Sequence, residues 1–71
     1  MRYFFHIRTE DGLIPDEEGM DLPGLDQARA EAITSARDLA TEFPPGSEGV
    51  SLKSVEVVDE VLRTVFCAPI F

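Results

Sequence analysis

The sequence has no tryptophan, a single cysteine, a single histidine and only six basic residues against fourteen acidic ones. Each shortage excludes something. Cys67 alone cannot close a disulfide within the chain, and a lone cysteine suits a reducing, cytoplasmic compartment. His6 alone, with no second cysteine, leaves no soft-ligand cluster for zinc. Arg2, Arg8, Arg29, Arg37, Lys53 and Arg63 are scattered, and the formal net charge is −8, so a phosphate-neutralising face for DNA or RNA is not expected. Long apolar runs are missing too. The longest, Val65 to Phe71, is far below the ~20 residues of a membrane-spanning helix, and MRYFFHIR is broken by His6 and Arg8 before it could serve as a secretory signal.

What is present is enough for one small domain covering residues 1–71, with 44 % hydrophobic residues. A domain of this size buries only about 60 % of the surface its unfolded chain exposes, so the core is expected to be thin. The one long periodic segment is Asp21 to Phe43, DLPGLDQARAEAITSARDLATEF. Leu25, Ala28, Ala32, Ala36, Leu39 and Phe43 recur at spacings of three and four, which places them on one stripe of a helix over about residues 25–42. Gly24 stands at the N-cap with Gln27 in the capping-box position, and Pro23 and Pro44–Pro45 bracket the segment. Alanine at half of the stripe lets the helix axis sit close to a sheet, with Leu25, Leu39 and Phe43 as anchors.

Strands are read on both sides of the helix. Arg2 to Thr9 alternates, with Tyr3, Phe5 and Ile7 on one face and Phe4, His6 and Arg8 on the other. Glu10-Asp11-Gly12 is a hairpin turn into a short return strand at Leu13–Ile14, which Pro15 limits. A brief extended piece, Met20–Leu22, precedes the helix, with Met20 and Leu22 under its N-terminus. Beyond Pro44-Pro45-Gly46-Ser47-Glu48-Gly49, a turn-rich loop, come strands at about Leu52–Val58 and Val61–Cys67, joined at Asp59-Glu60. The order β-β-α-β-β predicts an α+β two-layer sandwich, an antiparallel sheet of about four strands with one helix on one face. The other face is left uncovered. On the last strand either Leu62 and Phe66, or Val61, Val65 and Cys67, must then point away from the helix. With Phe4 and the tail Ile70–Phe71, these make an apolar association surface whose candidate residues are Phe4, Val61, Val65, Phe66, Ile70 and Phe71.

RYFFHIR at 2–8, the acidic turn with Gly12, DEEGMDLPGLDQARAEA at 16–32 and SARDLA at 35–40 resemble a family of small bacterial proteins from soil and plant-associated species, grouped as a domain of unknown function. The similarity covers about residues 2–66. It implies no activity and carries over no catalytic residue. Asp59-Glu60-Val61 departs from the family pattern in lacking a turn glycine, which leaves the register of the last hairpin open. Asp21-Leu22-Pro23-Gly24 is also similar to a segment of HicB-type antitoxins, small α+β proteins that are often acidic and bind a small basic toxin. Their further strand and Gly-Asp-Thr cap before the helix are absent, because Leu25 starts the helix at once.

Chemistry finds little to work with. His6 is followed by Glu10, Asp11, Asp16, Glu17 and Glu18, but their spacing fits no EF-hand loop, so no metal or other cofactor is expected. Cys67 has no histidine within sequence reach, and Ser35, Ser47, Ser51 and Ser54 lie in no nucleophile motif. The loop after the helix has prolines where phosphate-binding N–H groups would be needed. The sequence therefore predicts a non-enzymatic interaction module that self-associates, as a homodimer, through its uncovered sheet face or an edge strand. The alternative is an acidic, antitoxin-like regulatory partner that masks a small basic protein.

Overall fold

The computed structural model describes residues 1–44 and 51–70. Most of the loop expected after Pro44, and Phe71, therefore lie outside the described residues. The elements are β1 (Arg2–Thr9), β2 (Gly12–Ile14), β3 (Met20–Asp21), α1 (Leu25–Glu42), β4 (Leu52–Val58) and β5 (Thr64–Pro69). This is an α+β fold in the order β-β-β-α-β-β, with one helix and an open antiparallel sheet. The extended piece before the helix proves to be a strand of its own.

Strand order is β2-β1-β4-β5, with β3 also paired to β1. The two long strands β1 and β4 lie side by side, Phe5 opposite Val57 and Ile7 opposite Val55. On its other side β1 is met by β2 at Ile7–Thr9 and by β3 at Arg2–Tyr3. Two short strands thus share one edge, as Pro15 between them requires.

Helix α1 follows its alanine stripe. Ala28, Ala32 and Ala36 are buried against Val55, Val57, Tyr3 and Ala68, with Phe5, Leu22, Leu39, Val65, Phe66 and Ile70 half-buried around them. The largest fully buried side chains are only valines, Val55 and Val57. The core is therefore thin because its helical layer is made of methyl groups. Two of the expected anchors do not serve: Leu25 is 41 % and Phe43 38 % exposed, so Leu39 alone of the three packs inward. Met20 is exposed as well, and of that pair only Leu22 reaches the core. Gly24 is the N-cap in extended conformation, but no side chain caps the helix, so the expected box with Gln27 is not formed.

The last hairpin differs most from the sequence reading. β5 begins at Thr64, and Val61 and Leu62 lie in the turn. The cause is Asp59, whose carboxylate accepts the N–H groups of Val61 and Arg63 at 3.0 and 2.9 Å while its own N–H donates to the Arg63 carbonyl at 2.9 Å. That closes a wider turn than Asp59-Glu60. Leu62 takes the left-handed conformation, φ 64°, where a glycine would sit without strain. A bulge between Val57 and Val58 then shifts the register, so Val57 faces Phe66 while Val58 faces Thr64.

Candidate functional site

Residues opposite one another in an antiparallel ladder share a face. Phe5–Val57–Phe66 and Ile7–Val55–Ala68 therefore lie beneath the helix, and Phe4–Val58–Thr64, His6–Glu56–Cys67 and Arg8–Ser54–Pro69 look away from it. The uncovered face is more polar than expected. At its centre Arg8 Nε donates to Glu56 at 2.7 Å. The Arg8 hydrogen bond holds the Glu56 carboxyl below its ordinary range, against the upward pull of burial. Phe4 stacks on His6 with ring centroids 6.4 Å apart. Antiparallel sheets commonly keep one such mixed face toward water.

The acidic turn is a structural element. Between β2 and β3 the outer edge of β1 has no strand partner, and Asp16 fills the gap: Oδ2 accepts the Phe5 N–H at 3.1 Å, and Oδ1 accepts those of Glu18 and Gly19 at 3.3 and 3.2 Å. The Asp16 N–H in turn donates to His6 Nδ1 at 2.9 Å. Burial pushes the Asp16 carboxyl up, but these three N–H donors and the nearby His6 outweigh it, and its pKa lies below the ordinary value. Gly19 completes the turn at φ 74°, so close to β1 that a Cβ would stand 2.9 Å from the Tyr3 carbonyl oxygen. The Asp-Glu-Glu-Gly motif thus folds the chain back on β1. Among the described residues no three His, Cys, Asp or Glu side chains converge as a metal site.

Of the six candidate interaction residues, the five that are described do not all lie on the uncovered face. Phe4 is half-buried on the uncovered face, Val61 is 68 % exposed in the last turn, and Val65 and Ile70 pack against the core. Phe66 lies on the helix side, with the Arg29 guanidinium 5.3 Å from its ring centroid. Phe71 is outside the described residues.

Phe66 instead belongs to a different feature. Between α1 and β5 runs an open groove of about 440 Å³, lined by Ile33, Ala36, Arg37, Ala40, Phe66, Ala68 and Pro69. Ile33 is 43 % exposed and stands on its wall. A smaller groove of about 300 Å³ lies on the other side of the helix, among Phe5, Ile7, Ser35, Asp38, Leu39 and Val55. At 3.6 residues per turn Arg29, Ile33, Arg37 and Ala40 share the β5 flank of the helix, whereas Glu31, Asp38 and Glu42 share the other. Neither Arg29 nor Arg37 forms an ion pair among the described residues, where Arg2, Arg8 and Arg63 each have one, to Asp21, Glu56 and Asp59. The sequence held a signal for this site in Ile33, the one large aliphatic side chain of α1 outside its buried stripe.

β5 is an edge strand, paired only with β4 among the described residues. Ile70 donates to the Lys53 carbonyl, so by antiparallel alternation Ala68 and Phe66 turn their backbone groups toward β4. Cys67 and Pro69 turn theirs outward. Pro69 has no N–H to offer, and the bulge lies at the strand's start. Both features blunt an edge against further strand pairing.

The family described as a domain of unknown function, DUF6894, matches over residues 2–71. No curated protein and no solved structure gives a significant match to the chain.

Proposed function

Since the chain belongs to the DUF6894 family, and membership there carries no assigned activity, we propose from its own surface that it is a non-enzymatic interaction module that self-associates on its β5 side. The observation that supports this reading is the apolar groove between α1 and β5, open to solvent beside an edge strand. Thin cores in small domains commonly gain stability by association. Of the two surfaces weighed from sequence, the uncovered face has the Arg8–Glu56 pair at its centre, and the β5 side is favoured for the groove beside the edge strand rather than for strand pairing. The working compartment in this reading is the cytoplasm. No described helix is long and apolar enough to cross a membrane. Sedimentation velocity on the whole chain at tens of micromolar tests it: a dimer is expected, and a strictly monomeric species would sink the reading.

A second reading is supported by charge. The net charge of −8 and the acid flank Glu31, Asp38 and Glu42 of α1 suit an acidic regulatory partner, antitoxin-like in role, that masks a small basic protein. Co-expression with a small basic protein encoded beside it is the test. Co-purification supports the role, and its absence with every such neighbour removes it.

A further inference from the structure

Resting on the second of these readings, we infer that the smaller groove opens onto a docking shelf for a basic amphipathic helix of a different protein, which lies beside α1 over β1 and β2. Width sets the need for it. Neighbouring strands lie about 4.8 Å apart, so the path β2-β1-β4-β5 is about 14 Å from first to last. A helix with its side chains is about 10 Å across, and α1 packs on β4 and β5. The helix side of β1 and β2 is therefore left bare over about the width of one more helix.

The floor of this shelf is apolar. Ile14 stands opposite Ile7 and so shares the helix side with Ile7 and Phe5. Ile14 is 53 % exposed, and Ile7 is half-buried yet packs outside the core cluster. Met20, opposite Tyr3, extends the row and is exposed as well. From Tyr3 to Ile7 β1 advances about 14 Å, which an α-helix covers in about nine residues. Apolar side chains at i, i+4 and i+8 of that helix step by about 6 Å, close to the spacing of about 7 Å between alternate strand residues. A second copy has no such helix to offer, because α1 is the one helix among the described residues and its alanine stripe is already buried.

Charge on both sides of the shelf selects the partner. Glu31, Asp38 and Glu42 stand along the α1 wall, and none of them forms an ion pair among the described residues. On the other side, the segment Thr9–Leu22 that supplies β2, β3 and their turns has six acidic residues and no basic one. Asp21 is paired with Arg2, and Asp16 is held in its turn. An apolar helix edged with Lys or Arg on both flanks is complementary to this pattern, and an acidic one is repelled.

The test is isothermal titration of the full-length chain, in about 0.15 M sodium chloride, with three synthetic peptides of about 16 residues. One is a Leu/Lys helix with a single leucine stripe, the second has Glu in place of Lys, and the third keeps the Leu/Lys composition with its leucines dispersed. The striped Lys peptide is expected to bind with a Kd of roughly tens of micromolar, the dispersed one about ten-fold more weakly, and the Glu peptide not at all. Ile14→Gln and Asp38→Lys are expected to weaken the striped peptide by about five-fold or more, with thermal melts showing that each variant remains folded. Asp26→Lys, the same change in charge on the opposite flank of α1, is expected to stay within about two-fold of the parent. Binding indifferent to Ile14→Gln and Asp38→Lys, or weakened equally by Asp26→Lys, would overturn the shelf and leave the acidic-partner reading standing. Equal binding of the Glu peptide would overturn the basic partner, and no binding of the striped peptide at hundreds of micromolar would overturn the site. Co-purification judges the reading separately: a basic neighbour captured equally by the parent chain and by Asp38→Lys upholds that reading and removes the shelf.

Discussion

Asp16 does the work of a missing strand. Its carboxylate receives three backbone N–H groups, two of them part-buried and one exposed, and a hydrogen bond to a charged acceptor contributes about 1.5–3 kcal/mol at most, less where water can replace it. Asp16→Ala should therefore lower the unfolding free energy by about 2–4 kcal/mol in urea melts, and Asp16→Asn, which keeps one acceptor oxygen, by less. The pH dependence follows from the same bonds. The Asp16 and Asp59 carboxyls are both held below their ordinary values in the folded chain. For Asp59 the main cause is the Arg63 N–H, opposed by desolvation and helped by Val61 and the Arg63 charge. Groups with depressed folded pKa values stabilise fully above their unfolded pKa, near 3.9, and the contribution is lost as pH falls through the folded value. Stability should thus decline on acidification from about pH 5 toward pH 2, and the decline should be shallower in Asp16→Asn. Leu62 is the opposite case. A leucine at φ 64° with 81 % exposure bears strain without packing in return. Leu62→Gly should raise stability by about 1 kcal/mol, visible as a melting temperature higher by about 4–8 °C.

At the scale of elements, α1 and the last hairpin show what local sequence can and cannot specify. The helix was legible to its ends because apolar spacing, alanine content and flanking prolines agree over Leu25–Glu42. β1, from its alternation, and β4 were legible as strands, but not that they are neighbours, since the pairing of Phe5 with Val57 leaves no local trace. The start of β5 was misread because Asp59 captures two N–H groups through its side chain and draws Val61 and Leu62 into the turn. Those two valine- and leucine-rich positions look like strand in any propensity reading. The groove was missed for a related reason: a stripe analysis assigns Ala36 to the core and says nothing of how far the helix sits from the sheet edge. The close approach of α1 has a direct test. Ala32 is wholly buried, so Ala32→Leu must push helix and sheet apart, costing about 1–3 kcal/mol in chemical denaturation.

For the whole molecule, charge sets the terms of association. If two −8 chains meet across an apolar groove, their mutual repulsion is long-ranged and the attraction is not. Raising sodium chloride from about 0.02 M to about 0.2 M contracts the screening length to about 7 Å. The dimer dissociation constant measured by sedimentation should then fall, whereas an interface built mainly on ion pairs would show the reverse. Past its first turn, which carries Asp26, the helix has two unlike flanks, one basic and apolar, one acidic, so a self-contact at β5 leaves Glu31, Asp38 and Glu42 free for other encounters.

The arrangement around β1 has a consequence for the order of events as the chain is made. β2, β3 and the Asp16 turn all belong to the first twenty-one residues, so the outer edge of β1 can be satisfied while synthesis is still in progress. Its inner edge cannot, because Val55 and Val57 arrive only after the helix has been completed. Until then Phe5 and Ile7 face solvent, and closure of β1 onto β4 is the long-range step that should limit the folding rate.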